Sequence, residues 1–79
     1  MISPEKQLAQ EKVALAQIAE AMTALRFEKE LHERLPEVVK KAEAARKLLG
    51  DAKKLGRLCD QAGIEPSAVI RRAKQEGLL

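Results

Sequence analysis

Residues 52–76, AKKLGRLCDQAGIEPSAVIRRAKQE, decide the fold. Ala52, Leu55, Leu58, Cys59 and Ala62 recur at the three- and four-residue spacing of one helix face, with Lys53, Arg57 and Asp60 on the opposite face. Gly63 accepts the left-handed backbone that ends a helix, and Pro66 suits the first turn of the next one. In that second helix Val69, Ile70 and Ala73 are expected to face inward, and Ser67, Ala68, Arg71, Arg72 and Gln75 outward. Cys59, a small residue four before Gly63, permits close helix approach, and Ile64 is expected to plug the corner between the helices. With a turn one residue longer than the commonest form, Ile70 and Ala73 fill the usual apolar positions of the second helix. The stretch reads as two short helices joined by a tight turn.

Working outward, Asp51 is placed to cap the 52–62 helix, and Gly50 to close a preceding helix that opens at Pro36. Within 36–49, Val38, Val39, Ala42, Ala45 and Leu49 share a face, with Lys40, Lys41 and Lys47 on the other. Three helices at 36–49, 52–62 and 66–76 match the layout of a trihelical helix-turn-helix domain. Upstream, Ser3-Pro4-Glu5 is a helix start, and no breaker follows until Pro36, where Leu35 is pushed out of the helical region. Leu8, Leu15, Ile18, Met22 and Leu25 recur at heptad spacing, with Ala14 and Ala21 beside them, which predicts a dimerisation seam. The same register puts Lys29 and His32 on the stripe, so the seam ends near residue 26. A second apolar set, Phe27, Leu31 and Leu35, points elsewhere, down onto the following helices. The predicted fold is all-α, with residues 1–35 as a self-associating helical stem and 36–79 as the trihelical domain.

Composition agrees with helices and limits the core. Of 36 hydrophobic residues among 79, 13 are alanine and one is aromatic, so large side chains for packing are few and self-association is the expected remedy. Residues 1–35 hold five Lys/Arg against six acids, whereas 36–79 hold ten against six. That asymmetry predicts an acidic partner for the second half, with nucleic acid ahead of a membrane surface. No segment approaches the roughly 20 apolar residues of a membrane span, and the N-terminus lacks a basic and apolar leader. A soluble, cytoplasmic protein is expected. The lone Cys59 has no partner for an internal disulfide and reads as a small core hydrophobe.

Catalytic readings find little support in the residues. His32, near Glu28 and Glu33 but without further His or Cys, is a poor metal signature. Cys59 has no histidine nearby to activate it, no acid pair stands in an apolar setting, and no glycine-rich phosphate loop is present. No enzyme activity, cofactor or metal is expected.

Residues 55–79, from Leu55-Gly56-Arg57 through Val69-Ile70-Arg71 to Glu76-Gly77-Leu78-Leu79, resemble the helix-turn-helix of bacterial regulators, with an ending similar to that of the MerR-type family. Here the segment is C-terminal, and Arg72 and Ala73 stand where that family has an aromatic pair. The resemblance implies a DNA-reading helix at 66–76, with Arg71 at the matching arginine. On that reading Arg71 or Arg72 grips a guanine edge, and Ser67, with Ala68 and Gln75 alongside, touches bases or phosphate. Lys53, Lys54 and Arg57 then clamp the phosphate backbone of double-stranded DNA. A homodimer would present two such helices to a two-fold site, as a transcriptional regulator or DNA-binding accessory factor does. The alternative is a small helical inhibitor or adaptor of phage or secretion type, docking on a larger protein machine through Phe27, Leu31 and Leu35.

Overall fold

The computed structural model describes residues 4–31 and 35–79, and among these it is all-helical. α1 spans Pro4–Glu30, α2 Pro36–Gly50, α3 Ala52–Ala62 and α4 Pro66–Gln75. Ser3, expected as a helix cap, and His32, on the heptad register beyond the expected end of the seam, lie outside the described residues. Proline opens α1, α2 and α4, where its missing amide removes one donor that would have no partner.

α1 ends at Glu30, earlier than the break expected at Leu35. Leu35 is extended, with φ −72° and ψ 133°, as the residue before proline must be. α2 and α3 are separated by Asp51 alone, which ends one helix and starts the other. Its backbone amide donates to Leu48 O, while its Oδ1 accepts from the amides of Lys53 and Lys54 at 3.1 and 3.2 Å. Gly50 is the last residue of α2 rather than a left-handed cap, so Asp51 does the closing expected of the glycine.

Gly63 and Gly77 are the described residues with positive φ, both at 72°, and each closes a helix in the same way. The Ile64 amide donates back to Cys59 O at 2.9 Å and the Gly63 amide to Asp60 O at 3.3 Å. The Leu78 amide reaches Ala73 O at 2.8 Å and that of Gly77 reaches Lys74 O at 3.1 Å. These paired bonds satisfy carbonyls that a helix end leaves open, and they require the left-handed glycine.

One core joins all four helices. α1 contributes Ala14, Ile18, Ala21, Met22 and Leu25, α2 Ala42, Ala45 and Leu49, α3 Leu55, Cys59 and Ala62, and α4 Val69 and Ala73. Alanine supplies much of it, which brings backbones close but buries little area per residue. Three of the five expected seam residues, Ile18, Met22 and Leu25, therefore face α2 and α3 within a single chain, and Leu8 and Leu15 remain exposed. The stem is instead the central helix of the bundle over its second half. Its first turns, up to Val13, project beyond the core, and the whole measures 48 × 23 × 18 Å.

Candidate nucleic-acid interface

The α3–α4 pair follows from local sequence. In α4, Val69 and Ala73 are buried one turn apart and Ile70 is half-buried against the same core, so the three residues expected inward do face it. Residues two positions from Ala73 lie on the far side of a helix with 3.6 residues per turn, which directs Arg71 straight outward. Ser67, Ala68, Arg71, Arg72 and Gln75 are all exposed. Ala52, expected inward on α3, is exposed, and Ile64 sits at the surface of the α3–α4 corner instead of plugging it. The three residues between the helices leave Ile64 outside the bend, while Cys59 and Ala62 fill the inside.

Lys53, Lys54 and Arg57 are exposed along the first turns of α3. Lys54 and Arg57 border a shallow depression shared with Gln17 of α1, Leu48 of α2, and Leu58 and Gln61. No residue of α4 lines it, so Lys54 and Arg57 border α1 and α2, and a second set of exposed cations lies on the outer face of α4. Lys74, one turn beyond Arg71 and exposed, joins the second set. Sequence reading passed over it, although its spacing from Arg71 was available. Asp60 and Glu65 are exposed at the α3–α4 corner and put negative charge beside the start of α4.

α4 is held at its far end from within the chain. Arg26 of α1 donates from Nε and Nη2 to the two carboxylate oxygens of Glu76, at 2.7 and 2.8 Å. Lys29 Nζ donates to the carbonyl oxygen of Glu76 at 2.6 Å, capping the helix end with a cation. Arg72 reaches the same carboxylate at 3.4 Å from the α4 side. The hydrogen bond from the Arg26 guanidinium, with a smaller contribution from Arg72, holds the Glu76 carboxyl at about 2, well below its ordinary 4.5. A second arginine fork, Arg46 to Glu28 at 2.7 Å, ties α2 to the same stretch of α1. No local signal announces these pairs, since 50 residues separate Arg26 from Glu76.

Cys59 is fully buried, and burial pushes its thiol up, with Glu65 adding to the shift. It is a packing residue at the closest part of the α3–α4 corner. Among the described residues no three His, Cys, Asp or Glu side chains are grouped to hold a metal ion, and no helix is long and apolar enough to cross a membrane. No family model, no curated protein and no solved structure matches the chain.

Proposed function

We propose that this chain binds double-stranded DNA, as a small regulator or accessory factor, through the outer face of α4. The supporting observation is the division of that helix: Val69 and Ala73 are committed to the core, while Ser67, Ala68, Arg71, Arg72, Lys74 and Gln75 are all exposed. A helix of ten residues, about 15 Å long, fits the major groove, where an outward arginine reads guanine. Lys53, Lys54 and Arg57 supply phosphate contacts that set position without setting sequence. Arg71 leads this set, because Arg72 shares its guanidinium with Glu76.

Fluorescence anisotropy with labelled duplexes at two salt concentrations tests the proposal. Wild type should bind more weakly as salt rises, with log K falling by about 0.9 per decade for each phosphate neutralised. Arg71→Ala should weaken binding by about 1–3 kcal/mol, more than Arg72→Ala does. Absence of binding at low salt, or a double arginine variant that binds like wild type, would refute it. A second reading, a helical inhibitor or adaptor for a larger protein machine, draws on the exposure of Phe27, Leu31 and Leu35. On that reading the partner stays bound when both arginines are gone.

A further inference from the structure

Flanking its buried face, α1 carries a second stripe: Val13, Gln17, Glu20, Ala24, Phe27 and Leu31, spaced alternately four and three residues apart. Val13, Phe27 and Leu31 on it are 57%, 55% and 38% exposed. Beside it, α1 and α2 enclose an open groove of ≈ 870 Å³, walled by alanines 16, 19, 24 and 44 with Val38 and Leu48, and with Phe27 along its length. Glu20, Glu37 and Lys41 also line this groove.

The geometry points to a second copy of this chain as the occupant, packed antiparallel about a two-fold axis near Met22. A stripe with alternating four- and three-residue steps reads the same in both directions. An antiparallel copy therefore sets Val13 against Leu31, Gln17 against Phe27 and Glu20 against Ala24. The ring of Phe27 then enters the alanine-walled groove of the other copy, where small side chains leave room for it. Because Ala24 and Lys41 line the same groove, the Glu20 carboxylate of one copy meets the Lys41 ammonium of the other, twice over. The patch carries both signs of charge, which an interface made of one surface used twice requires. From Val13 to Leu31 the stripe runs about 27 Å. Two helices about 10 Å apart give it a footprint on the order of 500 Å² per copy, or roughly 1,000 Å² for the pair. That is the lower bound for a specific interface, so the dimer is weak and concentration-dependent.

Sedimentation equilibrium over a range of protein concentrations, without DNA, tests this independently of the nucleic-acid reading. Wild type should move from one-chain to two-chain mass as concentration rises. Phe27→Glu, at an exposed position, should raise the dissociation constant about 30-fold or more with helicity by circular dichroism unchanged. Glu20→Lys should weaken the dimer about tenfold, and adding Lys41→Glu should restore it. Leu8→Glu, on the projecting turns, should leave it intact. A single-chain mass at every concentration, a dimer indifferent to Phe27→Glu, a charge swap that fails to restore, or dissociation by Leu8→Glu would each overturn the assignment.

Discussion

Glu76 is the residue on which the placement of α4 turns, because its carboxylate accepts from Arg26 and Arg72 while its carbonyl accepts from Lys29. Its folded pKa, about 2, lies below the ordinary 4.5. The stabilisation it gives is therefore complete above the unfolded value and lost as pH falls from about 4.5 to about 2. Thermal melts of wild type and Glu76→Gln should differ at neutral pH, with wild type the more stable, and converge across that acid window. A constant difference down to pH 2 would show that the carboxylate's charge does not hold the helix. None of this was legible in the sequence. Arg26 falls just past the expected seam, and a partner 50 residues away leaves no periodic trace.

At the scale of elements, the helix boundaries were legible wherever a residue has one local reason to be there. Pro36, Asp51, Gly63 and Pro66 each act by fixing a backbone angle or satisfying an orphan amide, and α2, α3 and α4 begin and end around them. What the heptad stripe could not specify was its partner. Ile18, Met22 and Leu25 satisfy a second chain or the chain's own α2 and α3 equally well, and spacing does not distinguish the two. The proposed DNA-reading residues were legible as exposed positions because they follow from α4's own period. The separation of Lys54 and Arg57 from α4 was not, since it depends on how α3 rests on α1 and α2. The two left-handed glycines give a comparison internal to the fold. Gly63→Ala should cost about 1 kcal/mol from backbone strain alone, as the added methyl meets nothing within 4 Å. At Gly77 the same change also places the methyl 2.8 Å from Lys29 Nζ, displacing that ammonium from Glu76. Urea denaturation should rank Gly77→Ala as the more damaging of the two, and the reverse order would mean that Lys29 contributes nothing to the anchor.

The molecule as a whole is an elongated body whose core occupies only part of its length. Every described residue of α1 before Ala14 is exposed or half-buried, so those turns add no buried side chain to the core. Short isolated helices are marginal in water, because each turn gains little beyond the entropy it loses. Amide hydrogen exchange should therefore divide the long helix in two. The amides of residues 8–12 should exchange at rates approaching those of a free peptide, while those around Met22 and Leu25 open only when the entire bundle does. The longest of the described helices thus contains both the least protected backbone and some of the best protected, and a protease would cut within its projecting turns while leaving the four-helix body standing.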